Sequence, residues 1–89
     1  MKQIVLVTTD GCEACNIMRK NCVEAIKETS KVIDFKERNI AECSKWFIKK
    51  NNITDFPTIL LIENDIVKFK YTGTRPKIVI LRWTDVWFT

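Results

Sequence analysis

Two cysteines separated by two residues are the part of this sequence with the clearest chemical potential. Cys12 and Cys15 lie in the segment TTDGCEACNIMRK, where a short apolar run gives way to a helical pattern. Two thiols this close can exchange with a disulfide, share a soft metal ion, or lie side by side without reacting. The elements that position the two sulfur atoms decide between these chemistries.

The position of the pair at the start of a predicted helix favours exchange chemistry. The unpaired N–H groups and the dipole of a first helical turn favour a thiolate over a thiol, and so lower the pKa of a cysteine there. The thiolate is the species that attacks a disulfide. The i, i+3 spacing puts the Cys15 sulfur within reach of Cys12, so a mixed disulfide can be resolved inside the molecule. The spacing alone is weak evidence, because four cysteines give six pairs and one such spacing can arise by chance.

The other two cysteines do not complete an obvious metal site. If the first helix is continuous, Cys15 and Cys22 are about 10 Å apart along its axis, too far for one zinc ion or for a disulfide. The chain has no histidine to substitute. A two-cysteine site for a soft ion such as Cu(I) stays open. We predict that Cys22 is a core residue, and that Cys43 is either structural or an exposed thiol open to modification.

The hydrophobic pattern predicts seven elements around this pair. Ile4 to Val7 is a continuous apolar run, typical of a strand that is covered on both faces. The following residues keep a helical period that places Cys15, Met18 and Cys22 on one stripe. Asn64-Asp65 is a plausible two-residue hairpin turn. In full, the pattern predicts strands at 4–7, 32–37, 58–62 and 67–71 and helices at 12–29, 41–50 and 76–88, with Pro76 as the first residue of the last helix.

These elements predict an α/β fold with the order β-α-β-α-β-β-α. The first and third strands are apolar on both faces and should be central, whereas the second and fourth alternate with charge and should be edges. Strands joined by a helix are normally parallel, and hairpin partners are antiparallel. A four-stranded mixed sheet in the order 2-1-3-4, with helices on both faces, satisfies these conditions.

Three segments resemble the thioredoxin/glutaredoxin superfamily. They are GCEAC at 11–15 after a strand, Phe56-Pro57-Thr58 before a strand, and Gly73 after the hairpin. The resemblance covers nearly the whole chain, and the element order above is that of the thioredoxin-like fold. The length before the motif is similar to that of compact glutaredoxins, while the second half of the chain resembles thioredoxin.

The resemblance implies a role for each of these residues. Cys12 would be the exposed nucleophile and Cys15 the more buried resolving thiol. Pro57 would follow a cis peptide bond and face the cysteines, and the backbone of Phe56 would pair with an extended substrate. The implied substrate-binding residues are Gly11, Glu13, Ala14, Phe56, Gly73 and Thr74, with Arg75 beside them.

The sequence also departs from the pattern of the family. Gly11 stands where thioredoxins have a tryptophan, and Leu6 stands where they have a buried acid that helps proton transfer. The central pair is Glu13-Ala14, and a carboxylate beside Cys12 should oppose part of the effect of the helix on its thiolate.

The resemblance favours a thioredoxin-like reductant over a glutathione-dependent one. Glutaredoxins usually carry a Gly-Gly-acid signature after the last strand, and TGTR at 72–75 matches it poorly. We expect a disulfide-containing protein as substrate, a thioredoxin-reductase-like or glutathione donor, no cofactor beyond the two cysteines, and a monomer. A non-enzymatic thioredoxin-fold module that binds a partner or a soft metal is the alternative from another class.

Composition narrows the setting of this chemistry. The 89 residues predict one domain, and the net charge of +4 is spread along the chain, which favours a solvated surface over a nucleic-acid interface. Apolar runs are too short for a signal peptide or a membrane span. We therefore expect a cytoplasmic protein without permanent structural disulfides. Trp83 and Trp87 are expected to pack on the sheet, and Trp46 to be partly exposed.

Overall fold

The structure, a computed structural model, describes residues 1–88 and contains a single four-stranded sheet flanked by helices. The strand order is β2-β1-β3-β4, which confirms the predicted order and the predicted edges. The elements are β1 Lys2–Thr8, α1 Glu13–Glu28, β2 Ile33–Asn39, a 3₁₀ turn Ile40–Glu42, α2 Lys45–Lys50, β3 Thr58–Glu63, β4 Ile66–Thr72 and α3 Lys77–Trp87.

Helix α1 carries the chain back along the full length of the sheet. Its 16 residues span about 24 Å, close to the length of a seven-residue strand. Strand β2 therefore starts beside the start of β1 and runs parallel to it, from Lys2 opposite Ile33 to Thr8 opposite Asn39. The buried side chains of α1 confirm the predicted stripe; they are Cys15, Met18, Cys22 and Ala25.

The connection from β2 to β3 does not follow the parallel rule, and the expectation that helix-joined strands are parallel is wrong here. Helix α2 has six residues and spans about 9 Å, too short to bring the chain back across the sheet. The chain therefore stays at the end where β2 stops. Strand β3 starts at that end and runs antiparallel to β1, with Thr58 opposite Val7.

The predicted helix at 41–50 is also wrong in its extent, because two separate caps divide it. The Asn39 side chain accepts a hydrogen bond from the Ala41 N–H at 2.9 Å and forms a capping box with Glu42 over the 3₁₀ turn. Ser44 then caps α2, since its Oγ accepts from the Phe47 N–H at 3.1 Å. Each cap starts its own helix, so the backbone is extended at the residue between them, Cys43.

The hairpin and the start of the last helix are local features with clear causes. Asn64 and Asp65 have φ angles of 53° and 66°, as a two-residue type I′ turn requires, which confirms the predicted turn. Pro76 has extended backbone and caps α3 instead of forming its first residue, so that part of the prediction is wrong by one position. Helix α3 begins at Lys77.

The sheet separates two apolar cores, which confirms that helices cover both faces. Helices α1 and α3 lie on one face, where the core includes Leu6, Cys22 and Phe88. Helix α2 and the loop that follows it cover the other face, over Val5, Val7 and Leu60. Alternate residues of β1 enter opposite cores, which explains why this strand is apolar throughout.

The three tryptophans lie where they were expected. Trp83 packs on β4 against Phe69 and Tyr71, with ring centroids 4.9 and 5.2 Å away, and Trp87 stacks on Phe69 at 5.2 Å. Trp46 is 67% exposed. No helix within residues 1–88 is long and apolar enough to span a membrane.

Candidate functional site

Cys12 lies at the junction between β1 and α1 and caps the helix with its sulfur atom. The Cys15 N–H donates a hydrogen bond to the Cys12 Sγ at 3.0 Å. Gly11 provides the turn into the helix, with a φ of +67° that residues other than glycine rarely adopt. The first turn of α1 therefore directs an N–H group at the sulfur, which stabilises a negative charge there.

Cys12 and Cys15 are joined by a disulfide, and the two residues differ in exposure. Their Cα atoms are 5.2 Å apart. Cys12 is partly exposed, whereas Cys15 is 1% exposed at the inner side of α1. A second molecule can therefore approach the sulfur of Cys12 more readily than that of Cys15, the difference that the family resemblance implies.

The loop before β3 lies at the same end of the sheet as the disulfide, because Thr58 pairs with Val7. The Phe56–Pro57 peptide bond is cis, and Pro57 is buried. Gly73 ties the end of β4 to this loop, since its N–H donates to the Pro57 carbonyl at 2.8 Å. Gly73 has a φ of +119°, which favours glycine at that position.

A polar cavity of about 510 Å³ opens beside the disulfide on the side of β2. It brings together the predicted residues Gly11, Cys12, Glu13 and Cys15. The predicted residues Phe56, Pro57, Gly73, Thr74 and Ala14 do not line it. The other lining residues were not predicted from the sequence; they are Thr8, Thr9, Asp10, Asn16, Arg19, Glu37 and Asn39.

An ion pair between α1 and β2 forms part of the cavity wall. Arg19 donates two hydrogen bonds to the Glu37 carboxylate, at 2.5 Å from Nε and 2.6 Å from Nη2. The Thr8 hydroxyl donates to Glu37 at 3.4 Å, and Arg19 also donates to the Asn16 side chain at 2.8 Å. The hydrogen bond from Arg19 is the main reason that the pKa of Glu37 is lowered.

The sequence carried a signal for one member of this pair only. Arg19 follows Cys15 by four residues, which places both on one face of α1. Glu37 lies directly opposite Leu6 once β1 and β2 are aligned. The position of Glu37 beside Arg19 therefore depends on the strand register, which periodicity does not provide.

The remaining cysteines are thiols on opposite sides of the sheet. Cys22 is fully buried in the core under α1 and α3, and this burial raises its pKa to about 12. Cys43 is partly buried on the other face, where its Sγ donates to the Asn39 carbonyl at 3.6 Å. Burial raises the pKa of Cys43 as well. The core position predicted for Cys22 is confirmed, and Cys43 is neither fully buried nor fully exposed.

The four sulfur atoms do not form one metal site, because Cys22 and Cys43 lie in different cores on the two faces of the sheet. Across residues 1–88 the structure contains no cluster of three or more cysteine, aspartate or glutamate side chains suited to a metal ion.

Comparison with known proteins agrees with this architecture. One similar solved structure is described as a malarial protein, with 13% identity, a TM-score of 0.82, and coverage of 100% of this chain and 99% of the other. A second is thioredoxin-2, described as a component of the malaria parasite protein secretion machinery, with 14% identity, a TM-score of 0.83, and coverage of 97% and 82%. A third is chloroplastic thioredoxin z, with 18% identity, a TM-score of 0.80, and coverage of 97% and 77%.

At these identities the structural likeness establishes the fold. The chain matches no curated protein sequence. The family model described as Thioredoxin, however, matches residues 1–85, which include the cysteine pair, the cis-proline loop and all four strands. The chain therefore belongs to the thioredoxin family.

Proposed function

We propose that this protein reduces the disulfides of other proteins through the Cys12–Cys15 dithiol. A thioredoxin domain with a disulfide-forming cysteine pair already indicates a thiol–disulfide redox activity. The observation that carries the finer proposal is the arrangement of the pair, with a partly exposed sulfur that caps α1 and a buried sulfur one turn later.

The reaction takes place in two exchange steps. The Cys12 thiolate attacks one sulfur of the substrate disulfide, so that a mixed disulfide forms and the other substrate sulfur leaves as a thiolate. Cys15 then loses its proton and attacks the Cys12 sulfur, which releases the second substrate sulfur. Two electrons pass to the substrate, and the protein is left with the Cys12–Cys15 disulfide. A dithiol reductase or glutathione then supplies two electrons to restore the dithiol.

Two features support an extended peptide as the substrate. The loop that contains Phe56 and Pro57 ends beside the β1–α1 junction, so its backbone and the partly exposed Cys12 sulfur share one end of the sheet. Gly11 has open space around the position of a Cβ atom, so no side chain precedes Cys12 to obstruct an approaching chain. In this arrangement Phe56, Gly73 and Thr74 would border the peptide on one side, and Glu13 and Ala14 on the other.

The segment after β4 supports a thioredoxin-like donor over glutathione. This segment, TGTR at 72–75, has one glycine and no acid, so it lacks the Gly-Gly-acid signature of glutaredoxins. Arg75 is held instead in a cation–π contact with Tyr71 at 4.8 Å. The dithiol needs no further cofactor for this chemistry. A reducing compartment such as the cytoplasm suits a protein that carries two further free thiols.

The test combines turnover with trapping of the intermediate. The wild-type protein should reduce a protein disulfide at the expense of dithiothreitol or of a thioredoxin reductase, and Cys12→Ser should abolish this turnover. Cys15→Ser should accumulate a mixed disulfide at Cys12, which mass spectrometry of the intact complex detects. Cys43→Ser is the matched control and should retain wild-type turnover. If Cys12 and Cys15 never pair in any redox buffer, the proposal is wrong and the fold serves as a binding module.

A further inference from the structure

The cavity beside the disulfide contains four charged side chains in addition to the two cysteines. Asp10 and Glu13 are exposed at its rim, whereas Arg19 and Glu37 form the ion pair in its wall. Arg19 is the only cation among the residues that line the cavity. The net charge of the cavity wall beside a cysteine thiolate therefore depends on whether Glu37 neutralises Arg19.

Two elements hold the ion pair beside the cysteines. Arg19 lies one helical turn after Cys15 on α1, and both residues line the cavity. Glu37 comes from β2. Its contacts with Arg19 on α1 and with Thr8 at the end of β1 hold the carboxylate in place. Neither partner is free to turn away without losing at least two hydrogen bonds.

We infer that Arg19 and Glu37 each act on the reduction potential of the Cys12–Cys15 couple, with opposite signs, and that their pairing in the cavity that both cysteines line balances the two effects. This inference rests on the proposed exchange activity. Reduction adds two electrons to the S–S bond, and when only one proton follows, a thiolate remains in the cavity. A cation in the wall stabilises that thiolate and raises the potential, whereas an anion does the opposite.

Single substitutions should therefore change the potential in opposite directions. Glu37→Gln leaves the charge of Arg19 uncancelled, so it should raise the equilibrium constant for reduction by about threefold, or about 14 mV for this two-electron couple. Arg19→Gln leaves the carboxylate of Glu37 uncancelled and should lower the constant by about threefold. The double variant R19Q/E37Q removes both charges and should return to the wild-type value.

The measurement is the equilibrium with glutathione redox buffers, quantified by mass spectrometry of the alkylated protein. The Lys31–Asp85 pair, with its charged atoms 2.8 Å apart, provides matched controls. Lys31 precedes β2 at the opposite end of the sheet from Thr8, about 20 Å away along β1, which is more than twice the screening length in physiological salt. D85N and K31Q should therefore leave the potential unchanged.

A purely structural role for the pair predicts a different pattern. If the pair only joins α1 to β2, both single variants lower the unfolding midpoint, and the potential either stays constant or moves in one direction. That result would overturn the inference while leaving the proposed function intact. If either single variant unfolds, the reversed pair R19E/E37R replaces it and should keep the wild-type potential; a large shift there also overturns the inference. A wild-type protein without a Cys12–Cys15 couple would instead refute the proposed function itself.

Discussion

At the scale of single residues, two opposing influences act on Cys12. The first turn of α1 directs the Cys15 N–H at its sulfur and favours the thiolate. Glu13 follows directly in the same turn and is exposed, and its carboxylate disfavours a second negative charge nearby. The reactivity of Cys12 therefore depends on a helix that lowers its pKa and a neighbour that limits the effect.

Replacing Glu13 should reveal the size of this opposition. Glu13→Gln removes the negative charge next to Cys12, so the pKa of the Cys12 thiol in the reduced protein should fall. Because Glu13 is exposed and screened by solvent, we expect the ratio of thiolate to thiol to rise by about twofold to threefold. Titration of the ultraviolet absorbance of the Cys12 thiolate measures this change. Glu24→Gln, farther along the same helix, is the control and should change nothing; an unchanged pKa in E13Q would contradict the argument.

The cysteine pair could be predicted at this scale, whereas the cavity beside it could not. Cys12 and Cys15 have a distinctive spacing, and their place after an apolar strand indicates the start of a helix. Arg19 and Glu37 look like ordinary surface charges in the sequence. Their contact depends on the alignment of β2 with β1, because a shift of one residue would turn Glu37 to the other face of the sheet.

At the scale of elements, the length of a helix decides the direction of the strand that follows. Helix α1 is long enough to return the chain across the sheet, and β2 is parallel to β1. Helix α2 is not, and β3 is antiparallel. The apolar pattern predicted a helix in both places, but the separate caps at Asn39 and Ser44 shorten the second one.

The hairpin between β3 and β4 offers a test at this scale. Asp65 has a φ of 66°, and its side chain is exposed. Asp65→Gly removes the steric cost of the left-handed conformation, and glycine is the preferred second residue of a type I′ turn. Part of this gain is offset by the greater freedom of glycine in the unfolded chain, so we expect a stabilisation of about 0.5 kcal/mol.

Urea unfolding measures this change, and Asn64→Ala should have the opposite sign. Asn64 also has positive φ, and its side chain accepts a hydrogen bond from the Met1 ammonium at 2.6 Å. Replacing Asn64 by alanine removes this hydrogen bond and leaves a less suitable residue at positive φ, so the protein should be destabilised by about 1 kcal/mol. A glycine variant less stable than wild type would show that Asp65 contributes a contact beyond its backbone conformation.

At the scale of the whole molecule, pairs of opposite charge join neighbouring elements on the surface. Arg19 on α1 bonds Glu37 on β2, and Lys77 on α3 bonds Glu28 at the end of α1. The hydrogen bond that Lys77 donates to the Glu28 carboxylate raises the pKa of Lys77. These contacts act together with the two cores in holding the helices against the sheet.

Acid should weaken the protein in part through Glu37. Its pKa is lowered from the ordinary value near 4.5, so its contribution is fully present above that pH and is lost as the pH falls through the lowered pKa. Between about pH 5 and pH 3, wild type should lose about 0.5–1 kcal/mol more stability than Glu37→Gln, a range that allows for the partial exposure of both side chains. Chemical unfolding at several pH values measures the difference.

Glu13→Gln is the control for this experiment, because Glu13 has no ion-pair partner within residues 1–88. Its loss of stability in acid should match that of the wild type. Equal slopes for Glu37→Gln and wild type would mean that the ion pair contributes nothing to folding. That outcome would leave only its charge in the cavity as a function.

The enclosure of Cys22 has a consequence for how the chain tolerates oxidation. Four cysteines allow six disulfides, and three of these include Cys22. None of these three disulfides can form in the folded protein, because the Cys22 side chain is buried in the core under α1 and α3 and lies two helical turns from Cys15. Cys43 faces the other core, so Cys15 is also separated from it by the sheet. Repeated cycles of oxidation therefore cannot produce non-native disulfides through Cys22. Folding thus determines which cysteines pair as well as how reactive the pair is.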